Sequence, residues 1–208
     1  YHIFNRGNNK RPIFINRFDL NRFLLSMQEF NTKEPIGSLY LRAFEKETAE
    51  TTPKSQLVEL VCYCLNPNHY HFLVKQLVKD GIPKFLHRLG TGYTRYLNDK
   101  HKFSGSLFQG RFKAIHVDSN EYLLHLSAYI NLNPEAHKLR GSASQLLCKT
   151  SWNEYLGKEP TNNSFCNKDV VLSQFKSLGE YKNFAKSALL ITEERKEMEK
   201  SLELLLRG

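Results

Sequence analysis

Gln56-Leu57-Val58-Glu59-Leu60-Val61-Cys62-Tyr63-Cys64-Leu65, then Asn66-Pro67-Asn68, then His69-Tyr70-His71-Phe72-Leu73-Val74-Lys75-Gln76, reads as two strands joined by a turn. Both flanks are rich in Val, Leu, Tyr and Phe, and the three residues between them are turn formers. The pattern predicts strands over 56–65 and 69–76. In an extended strand residues i and i+2 share a face, so His69 and His71 present their rings side by side while Tyr70 points away. Two neutral imidazoles placed so suit a metal clamp on a sheet. On spacing alone the plainer reading is stronger: two polar residues on a wet face, since His-x-His arises often by chance.

The neighbouring segments alternate in type. Residues 1–5 read as a short strand entering the turn Arg6-Gly7-Asn8-Asn9-Lys10. Asn16 can cap a helix through about residue 31, with Leu20, Phe23, Leu24, Met27 and Phe30 as its buried stripe. Residues 39–46 are a further strand candidate, followed by a polar loop from Glu47 to Ser55. A helix is predicted over 82–98 from Ile82, Phe85, Leu86, Leu89, Tyr93, Tyr96 and Leu97, with Pro83 tolerated in its first turn. After a basic loop at 99–113 and a short strand at 112–117, Asp118 and Glu121 match a capping box for a helix over 118–133. Pro134 ends it. This order implies an α+β fold, an antiparallel sheet with helices packed on one face. The domain reading is 1–145, then a helical C-terminal extension, 146–208.

Bulk properties narrow the partners. The 208 residues are 40% hydrophobic, with 14 phenylalanines and 10 tyrosines, enough to build a core and to exclude global disorder. Thirty Lys and Arg against 21 Asp and Glu give a formal charge of +9, which favours a polyanionic partner. Cys62, Cys64, Cys148 and Cys166 show no Cys-x-x-Cys spacing, so they read as reduced core thiols and not as a zinc knuckle. No apolar run is long enough to span a membrane.

Three groups carry candidate chemistry. His69 and His71 are the first. On the 118–133 helix, His125, Tyr129 and Asn133 fall at four-residue steps, so a phenol and an amide oxygen share nearly one surface. Each has a bland reading, ring packing for Tyr129 and a helix-terminal residue for Asn133. The third group is the loop Lys100-His101-Lys102-Phe103-Ser104-Gly105-Ser106-Leu107-Phe108-Gln109-Gly110-Arg111-Phe112-Lys113, where cations for phosphates alternate with rings for unpaired bases.

Four motifs in order resemble one family. They are Tyr1-His2-Ile3-Phe4-Asn5-Arg6-Gly7, then Asn66-Pro67-Asn68-His69-Tyr70-His71, then Gly105 to Lys113, then Tyr129-Ile130-Asn131-Leu132-Asn133-Pro134. Together they resemble the single-tyrosine transposases of the insertion-sequence 200 type. The nearer likeness is to relatives associated with repetitive extragenic palindromes. It is close to about residue 140 and looser through Trp152, Tyr155 and the tail.

The resemblance implies a ferredoxin-like nuclease domain of a bacterial, cytoplasmic, nucleoid-associated protein. Carried over, His69, His71 and Asn133 match the ligands of a Mg²⁺ or Mn²⁺ ion, and Tyr129 matches the nucleophile that forms a 5′-phosphotyrosine. Tyr93 and Tyr96, in the preceding helix, do not match that position. Tyr70 departs from the smaller aliphatic residue often found between the histidines, yet suits a buried face. The implied partner is single-stranded DNA with a hairpin or palindromic element, gripped by candidates Arg6, Asn8, Lys100, Lys102, Phe108, Gln109, Arg111 and Lys113. Relatives include both homodimers and monomers. The competing readings are a catalytically silent hairpin-binding protein and a metallonuclease that activates water.

Overall fold

A computed structural model describes residues 1–37, 39, 55–136, 143–159 and 164–191. Its centre is a five-stranded sheet formed by β1 (His2–Arg6), β2 (Val58–Asn66), β3 (His69–Gln76), β4 (Lys113–Ile115) and β5 (Lys149–Thr150). The spatial order is β4-β1-β3-β2-β5, with every neighbouring pair antiparallel. The predicted hairpin is there, and β2 and β3 pair from Val58↔Gln76 to Asn66↔His69 with a bulge between Leu60 and Cys62. Of the strand expected over 39–46, only Leu39 lies within the described residues, and 47–54 of the following loop lie outside them.

Helices α1 (Arg17–Glu29) and α2 (Gly81–His101) cover one face. Their stripes meet the alternate residues Tyr70, Phe72 and Val74 of β3 in one core with Ile3, Phe14, Phe23, Leu89 and Tyr93. Asn16 caps α1 as expected, and Asp19 closes the capping box back onto it. This arrangement is the ferredoxin-like half of the expectation.

The opposite face is covered too, which corrects the expectation of helices on one side. Helix α3 (Asn120–Asn131) packs Leu126, Ala128 and Ile130 against Val61, Cys62, Cys64 and Leu73. Its start is also corrected. Ser119 is the cap, its hydroxyl accepting from Tyr122 N at 3.2 Å, so Asp118 stays outside the helix. The helix stops at Asn131, two residues short of the expectation, and one further turn runs Asn133–Ala136.

Chain beyond residue 145, expected as a helical extension, adds β5 to the sheet edge beside β2. Tyr155, Val171, Tyr181 and Ala185 then fill the same second core as α3, the last two from the helical residues 178–191. The Tyr155 hydroxyl donates to the Val61 carbonyl at 3.1 Å.

Candidate active site

Strand parity places the two histidines on the face that α3 covers, because 69, 71 and 73 alternate with the buried rings of Tyr70 and Phe72. The His69 and His71 rings lie 5.3 Å apart at 89°. Tyr129, near the end of α3, meets the His71 ring edge-on at 5.8 Å between centroids. The histidines and the phenol therefore converge within one chain.

Backbone contacts fix the turn that carries His69. Gly7 N donates to the Asn68 carbonyl at 2.8 Å, and Ile13 N to the Pro67 carbonyl at 2.7 Å. A Cβ on Gly7 would lie 2.1 Å from the Arg11 carbonyl oxygen, so this close crossing needs glycine. The Asn68 Oδ1 accepts from His69 Nδ1 at 2.7 Å. The other nitrogen, Nε2, accepts from Asn66 Nδ2 at 2.8 Å, and the same Nδ2 donates to Asn133 Oδ1 at 2.6 Å. Asn66 thus links the first histidine to the fully buried amide of Asn133.

Those contacts test whether the residues suit a divalent cation. Lone pairs of His69 Nε2 and Asn133 Oδ1 are directed at one small amide group, the arrangement a cation exploits when imidazole and amide oxygen ligate together. Asn66 Oδ1 is buried without a hydrogen-bond partner. Asn133 Nδ2 also lacks a bond of good geometry, though it sits close enough to Tyr129 to act on its hydroxyl. A buried acceptor left unsatisfied is costly unless something else completes it, and of these two atoms only Asn66 Oδ1 has lone pairs to offer a cation. The donor set therefore fits a divalent ion. Among the described residues no three His, Cys, Asp or Glu gather to hold a metal.

Burial pushes the Tyr129 hydroxyl above its ordinary value, and the Asn133 amide pulls it part of the way back. His2 reaches the site from β1, its Nε2 lying 2.9 Å from His71 Nδ1. Burial holds that ring neutral, pushed down to about 4.

A cleft of about 960 Å³ opens over these groups. Of the eight basic-loop and turn candidates, Arg6, Gln109, Arg111 and Lys113 line it. Arg6 Nε donates to Gln109 Oε1 at 2.5 Å, and Lys113 Nζ stands 5.9 Å over the Phe4 ring. Asn8 and Lys102 are exposed elsewhere. Two candidates are corrected. Phe108 is only 8% exposed and packs edge-on against Tyr70 at 5.8 Å, so its ring belongs to the core. Lys100 turns away to pair with the buried Asp19 at 2.7 Å. Lys10, Pro12 and Pro67 line the cleft without having been singled out.

The family model for IS200-like transposases matches residues 1–133, and the chain belongs to that family. It is a family of transposases, generally dependent on a divalent cation. Among solved structures it is similar to a REP-associated tyrosine transposase bound to a REP hairpin, at 13% identity over 76% of this chain and 80% of that one, with a TM-score of 0.49. That likeness is too distant to bear on mechanism. No curated protein matches. No helix among the described residues is long and apolar enough to cross a membrane.

Proposed function

We propose that the chain cuts and rejoins single-stranded DNA beside a hairpin or palindromic element, with Tyr129 as nucleophile and His69, His71 and Asn133 as ligands of Mg²⁺ or Mn²⁺. One observation carries this reading: the Tyr129 ring lies 5.8 Å from the His71 ring at the wall of a cleft also lined by Arg6, Arg111 and Lys113. A divalent ion held there would polarise the scissile phosphate and offset the charge that develops on it. Imidazole donors favour manganese over magnesium.

Tyr129 gives up its phenolic proton and its oxygen attacks phosphorus. The bond from phosphorus to the leaving 3′ oxygen breaks, and that oxygen takes a proton as a free 3′-OH. Tyr129 is left carrying the 5′ phosphate. A 3′-OH from another strand then attacks the phosphotyrosine, so joining needs no nucleoside triphosphate. Arg6, Arg111 and Lys113 hold neighbouring phosphates by charge. Since burial raises the Tyr129 hydroxyl, the phenolate fraction grows with pH, and single-turnover cleavage speeds up from neutral to alkaline solution.

Labelled single-stranded hairpin DNA incubated with Mn²⁺ and run on a denaturing gel tests the reading. We expect an SDS-stable protein–DNA adduct that disappears in Tyr129→Phe. Metal-dependent cutting that survives this substitution points to activated water instead. Binding without cutting points to a silent hairpin reader.

A further inference from the structure

A neutral imidazole carries one proton, and only its bare nitrogen can take a cation. For His69 the proton's place is set by its neighbours. Asn68 Oδ1 only accepts, so its 2.7 Å contact puts the proton on Nδ1 and leaves Nε2 with a lone pair for Asn66 Nδ2. His71 faces a different neighbour, the second imidazole of His2, with His2 Nε2 and His71 Nδ1 2.9 Å apart. Two bare nitrogens at that distance repel, and two protonated ones clash, so one proton lies between them. If His2 supplies it, the proton of His71 stands on Nε2 and shields that atom from any cation. If His71 supplies it, Nε2 is bare.

A metal-ligating imidazole as a rule donates its other ring N–H to a neighbouring acceptor, so the metal reading selects the second arrangement, and the packing of His2 makes it a suitable acceptor. In the β1–β3 register Phe4 stands opposite His71 and His2 opposite Leu73, so His2 is the diagonal neighbour of His71 on one sheet face. Its ring lies nearly parallel to that of His71 at 22°, with the rings' centroids 5.2 Å apart, and it rests 4.9 Å from Phe4. Near-parallel rings side by side allow an in-plane nitrogen-to-nitrogen hydrogen bond. With His2 only 7% exposed, water is a poor replacement partner for its Nε2.

We infer that His2 is a positioning residue that accepts the Nδ1 proton of His71, fixing the tautomer in which His71 Nε2 is the ligating nitrogen. With Asn68 doing the same for His69, each imidazole on β3 has its own orienting partner. Such partners fix ring orientation and raise the basicity of the ligating nitrogen. His2 touches neither phosphate nor nucleophile in this account. The inference rests on the metal reading above for its direction and its purpose, and its proton placement can be checked without metal or DNA.

The test uses the whole chain labelled with ¹⁵N and free of metal, read by long-range proton–nitrogen correlation of the histidine rings. The expected spectrum shows His71 protonated at Nδ1 and unprotonated at Nε2. His2→Phe keeps a flat ring on Phe4 but removes the acceptor, so the Nε2-protonated form of His71 appears, and calorimetric affinity for Mn²⁺ falls about tenfold. His2→Gln places an amide oxygen at similar reach and restores both readouts. A wild-type His71 protonated at Nε2 overturns the inference. So does a folded His2→Phe variant that keeps the wild-type tautomer and Mn²⁺ affinity. If His2→Phe does not fold, the wild-type spectrum and His2→Gln still decide. If wild-type protein shows the expected tautomer but binds no Mn²⁺, the positioning contact stands and the metal reading fails.

Discussion

Asn66 does the most with the fewest atoms. One amide group donates to both His69 Nε2 and Asn133 Oδ1, tying the β2–β3 turn to the end of α3. Removing it in Asn66→Ala leaves the part-buried His69 Nε2 without that donor and the buried Asn133 Oδ1 with only the weak Cys64 thiol, a loss of about 1–3 kcal/mol in all. The expected result is a clearly lower urea midpoint, with Mn²⁺ restoring part of the loss by satisfying the same lone pairs. No recovery on adding Mn²⁺ would argue against a cation at that point. His2 gives a second prediction, in pH. Its folded value is pushed down to about 4 by burial, against an ordinary 6.5, so the unfolded chain takes up a proton first as pH falls. His2's share of stability is therefore whole above about pH 6.5 and is lost toward pH 4. The difference in urea midpoint between pH 7 and pH 4 should be smaller in His2→Phe than in wild type. At this scale the sequence was partly legible. His69, His71 and Tyr129 could be found from alternation, helical spacing and resemblance. His2 and Asn66 were visible only as parts of motifs, because their contacts reach across 69 and 67 residues and leave no local period.

Secondary-structure elements decide how firmly the site is held. The end of α3 is pinned by Ser151, whose hydroxyl donates to Asn131 Oδ1 at 2.7 Å and accepts from Tyr63 N at 3.0 Å. Asn131 Nδ2 in turn donates to the Tyr181 hydroxyl at 3.0 Å. A strand, a helix end and the C-terminal chain thus share one buried knot, two residues from both Tyr129 and Asn133. Ser151→Ala should cost about 1–3 kcal/mol by leaving Tyr63 N and Asn131 Oδ1 unpaired. Chemical denaturation measures that cost, and a change under 0.5 kcal/mol, roughly the scale of a neutral surface substitution, would contradict it. The hairpin, α1 and α2 were readable because alternation, caps and stripes are local signals. The second covering layer was not, since β5 is only two residues long and the tail's apolar positions follow no single clear stripe. Ser119 displaced Asp118 as cap, a competition between adjacent good capping residues that spacing does not resolve.

The molecule as a whole carries +9, yet its cations are not equivalent. Lys100 is drawn to the buried Asp19, which also contacts His101 Nε2 at 3.0 Å and so holds α1 to the end of α2. Although burial alone would raise it, hydrogen bonds from Lys100 and the Ile15 backbone bring the Asp19 carboxyl below its ordinary value. Its stabilising share is present above the ordinary carboxylate range and is lost on further acidification. Arg6, Arg111 and Lys113 line the cleft, where the phosphates of the proposed substrate would lie. Binding of single-stranded DNA should weaken with salt at about −0.7 in logarithmic slope per phosphate neutralised. Arg111→Ala should reduce the slope by about that amount, while Lys102→Ala, away from the cleft, should leave it nearly unchanged. Equal effects from both would mean that the whole positive surface binds, with no privileged path. Composition favoured a polyanionic partner, but which cations face the cleft depended on the folding of the loop before β4.

In the proposed reaction one phenol oxygen attacks the phosphate held beside the β3 imidazoles. Mass spectrometry of the proteolysed adduct, formed with a 5′-tailed hairpin oligonucleotide and Mn²⁺, addresses it at the level of a single bond. We expect a nucleotide joined through its 5′ phosphate to the peptide containing Tyr129, and to no other tyrosine. A link through Tyr93, Tyr96 or any other residue, or complete cleavage with every tyrosine unmodified, would contradict it.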